Sequence, residues 1–312
     1  MVDLRGRDFI SIRDFTREEL EYLIDLAIEL KRRWYAGIRE YPLIGKAIAL
    51  LFKKHSTRTR SSFQVAATQL GADAYYMRPE ELQLARGEIL ADTARVLDRY
   101  YDALVIRTFE QSEVVEYAKY MKKPVINALT NEEHPTQILA DLMTIKEKKR
   151  RFEGLKLVYS GVIWNVMYSL MYACPKFGID LVIAIPEGFK PNDEAWEYSV
   201  KLAKEYGTKI EIIHNLKKAV DGADIVYALT WYAMGQSEED IRRQVKAYKE
   251  GGFTVTPEIM DLAKKDAIFM HCLPAHRGEE ATDEVLDGPK SVIFDQAENK
   301  LHTAKAIYLA LL

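Results

Sequence analysis

The sequence predicts an α/β chain built as two doubly wound parallel-sheet domains, and three observations carry that prediction. Short apolar runs rich in β-branched and aromatic residues alternate with longer segments of helical period from end to end, the pattern of parallel sheets covered on both faces. The 312 residues exceed a usual single domain and divide naturally into two of roughly 150. Several polar clusters also fall where a strand gives way to a helix, the place at which open parallel sheets hold ligands.

The elements follow in order. Thr16 and Glu19 frame a capping box that opens the first amphipathic helix. Strand-like runs come next at 47–52, 74–77, 103–107 and 125–128, with helical segments at 61–70, 89–100 and 112–120, the first of them stopped by Gly71. A helix beginning near Pro135 leads into a second series, with strands at 155–159, 181–185, 209–214, 225–228 and 267–272 and helices at 166–177, 193–206, 216–219 and 257–264. Residues 291–312 add a short strand and an amphipathic helix, while 78–87 and 232–253 read as long irregular loops.

Composition narrows the class of function. With 48% hydrophobic and 29% charged residues the usage is that of a soluble globular protein rather than a disordered or membrane one. A net charge of -3 argues against a general nucleic-acid binder. Cys174 and Cys272 stand too far apart to suggest a disulfide framework, and a reducing cytoplasm is the expected setting. The charged N-terminus has no apolar core of signal-peptide type, and no apolar run is long enough for a bilayer, so neither export nor a membrane partner is expected.

Four clusters carry candidate chemistry. Ser56, Thr57, Arg58, Thr59 and Arg60 follow a strand and open a helix, which sets hydroxyls, guanidinium groups and unpaired backbone N–H groups together in a place that favours a phosphate. A single Ser-Thr pair there would be read as a plain helix cap; five such residues in succession are not. Arg107 ends a buried-looking strand, where its cation can meet an acyl or phosphate oxygen, although an arginine alone is more often a salt-bridge residue. His134 stands just before a helix with Gln137 one turn on, so both can face one small ligand; capping is the simpler explanation of that segment taken alone. His271, Cys272 and Leu273 follow another strand and bring a thiol and backbone carbonyls into a loop with His276 and Arg277. A zinc reading of His271, Cys272 and His276 lacks a second cysteine pair or a carboxylate-histidine motif, and no third group is visibly placed to activate Cys272 as a nucleophile.

Taken together, residues 56–63 (STRTRSSF), 92–97 (DTARVL), 127–137 (NALTNEEHPTQ), 231–236 (WYAMGQ), 270–280 (MHCLPAHRGEE) and 295–302 (DQAENKLH) give the chain an end-to-end resemblance to the aspartate/ornithine carbamoyltransferases, closest to the ornithine branch. The resemblance implies a carbamoyl-phosphate-binding domain over 1–133, completed by a C-terminal helix that returns to it over 296–312, and an amine-binding domain over 134–295. It implies a homotrimer or an assembly of trimers, no metal and no organic cofactor. It also implies that Ser56, Thr57, Arg58, Thr59, Gln83, Arg107, His134, Gln137, Cys272, Leu273 and Lys300 bind carbamoyl phosphate, Gln83 reaching a neighbouring subunit's site. Among these, Arg58, Arg107, His134 and Cys272 take the catalytic roles, while Asn165, Leu229, Ala233 and Met234 face the amine. The reaction implied is transfer of the carbamoyl group to ornithine, giving citrulline and phosphate in arginine biosynthesis.

The sequence departs from the family pattern mainly on the amine side. Leu229 and Ala233 stand where the ornithine branch has an aspartate and a serine, and Val162, Ile163 and Trp164 make the segment before Asn165 apolar. Lys300 replaces an arginine, Gln64 a glutamate, and Glu133 an apolar or aromatic residue. Three readings follow: transfer to ornithine in a pocket that tolerates these changes, transfer to an amine lacking the α-amino acid head group, or a catalytically weak trimeric scaffold. The apolar residues are read with nearly equal weight as core or interface.

Overall fold

In a computed structural model, which describes residues 2–233 and 235–312, the chain divides into two compact units, residues 1–143 with 298–312 and residues 144–297. Each unit is organised around its own parallel sheet.

In the first unit, α1 (Arg17–Tyr35) starts at the expected capping box: the Thr16 hydroxyl accepts from the Glu19 N–H, and the Glu19 carboxylate accepts from the Thr16 N–H. Then come β1 (Ala47–Phe52), α2 (Arg58–Leu70), β2 (Asp73–Met77), α3 (Leu90–Tyr100), β3 (Ala103–Arg107), α4 (Gln111–Tyr120), β4 (Val125–Leu129) and α5 (Pro135–Lys149), of which residues 135–143 belong to this unit. The strand order is β2-β1-β3-β4, all parallel. The strands β1, β3 and β4 are almost wholly buried, which is why they read as continuous apolar runs rather than alternating ones. Ala49, Leu51, Leu104 and Ile106 pack with Val114 and Tyr117 of α4 in one core.

The second unit contains β5 (Lys156–Ser160), α6 (Asn165–Lys176), β6 (Asp180–Ala184), α7 (Asp193–Tyr206), β7 (Ile210–Ile213), α8 (Leu216–Val220), β8 (Ile225–Ala228), α9 (Glu238–Glu250), α10 (Pro257–Met260), β9 (Ile268–Met270) and α11 (Asp283–Leu286). Its order is β7-β6-β5-β8-β9, again all parallel. The last helix, α12 (Ile293–Leu311), contributes residues 298–311 to the first unit, where the Leu311 carbonyl accepts from the Gly6 N–H and the Tyr308 hydroxyl donates to the Phe63 carbonyl. The C-terminal helix thus returns to the N-terminal unit, as expected. Among the described residues no helix is long and apolar enough to cross a membrane.

Three expectations fail, the first being the short strand near residue 291, where Ser291 makes only an isolated bridge to Phe269 before the last helix begins. Residues 232–253 are not one irregular loop, because α9 occupies their middle. Its polar sequence hid it: only Gln244 and Tyr248 are buried, and it is held by the Ser237 cap and exposed pairs such as Arg242 with Glu238. Conversely, α10 stops at Met260 instead of running on, since the Lys264 N–H leaves the helix to bond the Ala223 carbonyl.

A doubly wound sheet reverses direction once, and the loops beyond the strands flanking that reversal diverge and leave a crevice. In the first sheet these strands are β1 and β3; in the second they are β5 and β8.

Candidate active site

The first reversal carries the phosphate-like motif. The helix α2 begins at Arg58, so Arg58, Thr59 and Arg60 form its first turn, and the Ser56 hydroxyl caps it by accepting from the Arg60 N–H at 3.2 Å. The first-turn N–H groups point out of the helix toward any anion beyond it, with the dipole in support. Ser56 and Arg58 are half-buried, Thr57 is exposed and Thr59 is buried. Just before this turn, the Lys53 N–H donates to the Arg107 carbonyl at 2.8 Å, which ties the loop after β1 to the end of β3. The loop's other cations are already paired: Lys53 with Glu113, Lys54 with the Asn131 side-chain amide oxygen and the face of Phe109, and Arg60 over Tyr76 at 4.4 Å.

His134 precedes α5 and is almost fully buried. Burial first, then the positive charges of Lys300, Arg107 and Arg58, hold its pKa well below the usual histidine value, so the ring is neutral. Three predicted phosphate-side cations thus act on the charge of one imidazole. One turn on, the Gln137 amide is fixed at both ends, its carbonyl accepting from the Lys300 ammonium at 2.6 Å and its NH2 donating to Asp141 at 2.8 Å. His134, Gln137 and Lys300 therefore belong to one group, with Arg58 and Arg107 near enough for their charges to act on His134. Gln83 is not part of it; it lies exposed on a turn of 3-10 helix over Gln83–Arg86.

Sequence reasoning passed over three residues here. Asp141 orients Gln137 from the position one turn further along α5, a spacing that could have been read. The Thr136 hydroxyl lies 3.4 Å from the His134 ring nitrogen Nδ1. Lys54 is buried beside Arg107, and burial followed by that like charge lowers its pKa to about 8.

The second reversal, between β5 and β8, holds the residues expected on the amine side. The Leu229 N–H donates to the Ser160 carbonyl at 2.8 Å and the Val162 N–H to the Thr230 carbonyl at 2.9 Å, so the two loops run together. Gly161 permits this: a Cβ there would come within 2.6 Å of both the Leu229 Cβ and its carbonyl oxygen. Asn165, Leu229 and Ala233 are buried, with Val162 beside them, while Ile163 and Trp164 are half-buried. Met234 lies outside the described residues. The helix α9 braces this region, its Tyr248 stacking on Trp231 at 5.6 Å and donating its hydroxyl to the Gly161 carbonyl.

Beyond β9, His271 is buried and used on both sides. Its Nδ1 accepts from the Leu273 N–H at 2.9 Å, so the proton resides on Nε2, which faces Glu280 at 3.0 Å. That removes His271 from the zinc reading and makes it the support of Cys272 and Leu273, both half-buried in the same loop.

With this geometry in view, comparison with known proteins is decisive. Residues 7–147 match the carbamoyl-P binding domain, and residues 153–311 the Asp/Orn binding domain, of aspartate/ornithine carbamoyltransferase.

The chain belongs to the aspartate/ornithine carbamoyltransferase family.

Among the relatives of this carbamoyltransferase, the ornithine carbamoyltransferase of Symbiobacterium thermophilum is 50% identical over 307 residues, covering 98% of both chains. The solved ornithine carbamoyltransferase from Pyrococcus furiosus superposes with a TM-score of 0.95 at 45% identity, covering 100% of this chain and 98% of that one. The aspartate transcarbamoylase of Trypanosoma cruzi, solved with carbamoyl phosphate and aspartate, gives 0.91 at 28% identity and covers 99% and 98%. The two-sheet carbamoyltransferase architecture of this chain is thus that of both branches.

Proposed function

We propose that this carbamoyltransferase moves the carbamoyl group of carbamoyl phosphate to the side-chain amine of ornithine, giving citrulline and phosphate. The observation that carries the donor half is the first turn of α2, tied to the end of β3 by the Lys53 N–H to Arg107 carbonyl bond, together with the Lys300–Gln137–Asp141 chain one turn beyond the neutral, buried His134. Ser56, Thr57, Arg58 and Thr59 hold the phosphate, with backbone N–H groups supplying fixed donors. Lys300 steadies Gln137 and adds charge, and a remaining Gln137 N–H serves the carbamoyl group.

The neutral amine attacks the carbamoyl carbon, a C–N bond forms, the carbon–oxygen bond to phosphate breaks, and the departing phosphate takes up the proton lost by the amine nitrogen. Charge developing on the carbamoyl oxygen is met by the Thr59 hydroxyl, Arg107 and His134. The low basicity that keeps this imidazole neutral suits the role, since its N–H can polarise the oxygen while its other nitrogen is a poor acceptor for the proton that the amine releases. Cys272 and the Leu273 carbonyl, steadied by His271, serve the carbamoyl group, and Asn165, Leu229 and Ala233 serve the acceptor. Positioning and electrostatics supply the catalysis.

The ornithine name of relatives at 45–50% identity supports the acceptor. The buried apolar residues Leu229 and Ala233 offer an α-ammonium group no counter-charge, so acceptor affinity is the quantity to measure. A homotrimer or assembly of trimers, with Gln83 serving a neighbouring subunit, a reducing cytoplasm and a place in arginine biosynthesis complete the proposal.

Calorimetry with a phosphonate bisubstrate mimic tests the donor site: Arg58→Ala should abolish binding, and unchanged affinity would sink the assignment. Carbamoyl phosphate supplied with a panel of amines tests the acceptor. Citrulline formation faster than any other product is expected; preferential turnover of an amine without the head group would transfer the proposal to that amine, and binding without any turnover would end it.

A further inference from the structure

We propose that the loop after β9 contains a divalent-cation site made by His276, Glu279 and Glu280, separate from the residues assigned to carbamoyl phosphate. One donor atom from each lies within 4.8 Å of the other two. Two carboxylates and an imidazole match borderline cations such as Zn2+ or Co2+, with a fourth position left for water.

What points to a ligand, beyond the proximity of acids, is the state of the inward-facing atoms. Glu280 is 1% exposed. Its Oε1 is fully engaged, accepting from the His276 N–H at 2.7 Å and facing His271 at 3.0 Å, whereas its Oε2 is buried with no hydrogen-bond partner among the described residues. The His276 Nδ1 and Glu279 Oε2 are also buried without a hydrogen bond among the described residues, and they face each other at ion-pair distance, 3.5 Å. A buried carboxylate oxygen without a donor costs about 1–3 kcal/mol, and two such oxygens and an imidazole nitrogen occur in this one loop.

The surroundings hold the donors in place. The Tyr232 ring stacks on the His276 ring at 5.0 Å and 18°, covering one face. Gly278, at φ 85°, makes the turn that folds Glu279 and Glu280 back, and the Glu279 N–H bonds the His276 carbonyl at 2.9 Å. Arg277 turns away to Asp283 and Asp287, so the nearest arginine does not neutralise the pair. Tetrahedral bonds of about 2.1 Å need donors about 3.4 Å apart. The His276–Glu279 pair already stands at 3.5 Å, and a Glu280 carboxylate oxygen belongs to the same group within 4.8 Å.

The test uses the full-length protein after chelator treatment, titrated with CoCl2 by visible absorption and with ZnCl2 by calorimetry. One ion per chain is expected, with affinity lowered at least about tenfold by Glu279→Gln and by His276→Asn. Cys272→Ser should leave stoichiometry and affinity unchanged, with no thiolate-to-cobalt band in the parent. Thermal melting confirms that each variant is folded, and the two ligand variants act as independent checks. Absence of stoichiometric binding, binding that survives both ligand substitutions, or binding lost in Cys272→Ser would each overturn the site.

Discussion

Replacing Glu133 by glutamine should change the pH dependence of stability, and by an amount that can be worked from its surroundings. Glu133 is 5% exposed and accepts hydrogen bonds from the Ser11 hydroxyl and the Ile12 N–H. Burial outweighs these bonds and raises its pKa from 4.5 to about 7. The folded state thus keeps a proton that the unfolded chain gives up near 4.5, so folding is penalised progressively as pH rises through that window and fully above about 7. Between pH 5 and pH 8 the penalty grows by about 2–3 kcal/mol at about 1.4 kcal/mol per unit. Glu133→Gln carries no such titration. Its melting temperature relative to the parent should therefore rise by about 4–12 °C between those two pH values, taking about 2–4 °C per kcal/mol. Thermal unfolding followed by circular dichroism in matched buffers measures this. Parallel curves for the two proteins would refute the reasoning, since they would mean that Glu133 is ionised in the fold or reaches solvent.

Other outcomes follow from the same geometry. His134→Ala should lower kcat about 100-fold, and the parent's pH-rate profile should lack an acid limb near the ordinary histidine pKa, because the ring is neutral throughout; an inflection abolished by that substitution would contradict this. Lys300→Met leaves the Gln137 carbonyl without its donor and should raise the KM for carbamoyl phosphate about tenfold in steady-state kinetics, more than it lowers kcat. Leu229→Asp should lower the KM for ornithine about tenfold without changing carbamoyl phosphate affinity, if a missing counter-charge limits acceptor binding. Asp224, which accepts from the Lys156 N–H at 2.9 Å and from Lys264 at 2.8 Å, joins β5 to the residues before β9; Asp224→Ala should cost about 2 kcal/mol, read from denaturant unfolding.

The strands were legible because burial on both faces writes an uninterrupted apolar run, as in residues 47–52 and 103–107. The phosphate loop was legible because its residues are contiguous. What could not be read from one dimension is pairing over distance: Gln137 with Lys300 is joined by the return of α12, and no periodicity in either segment announces it. The helix α9 was missed for a different reason. It contributes Tyr248 to the support of Gly161 and Trp231, yet buries too little of its own surface to show an apolar stripe. Glu280 has a similar history, since a glutamate nine positions after His271 in a polar loop looks solvated until the loop closes on it.

The loop after β1 has one more consequence. Because Lys53, Lys54 and Arg60 are held by an acid, an amide and two aromatic faces, most of the loop's positive charge is bound up locally rather than offered as a diffuse field. An incoming phosphate is then gripped by short, directional contacts at the helix mouth, a hold that mobile ions erode little. Added electrolyte should slow its arrival more than it hastens its departure, and the protein can keep its grip on a small anion in a concentrated, salt-rich medium.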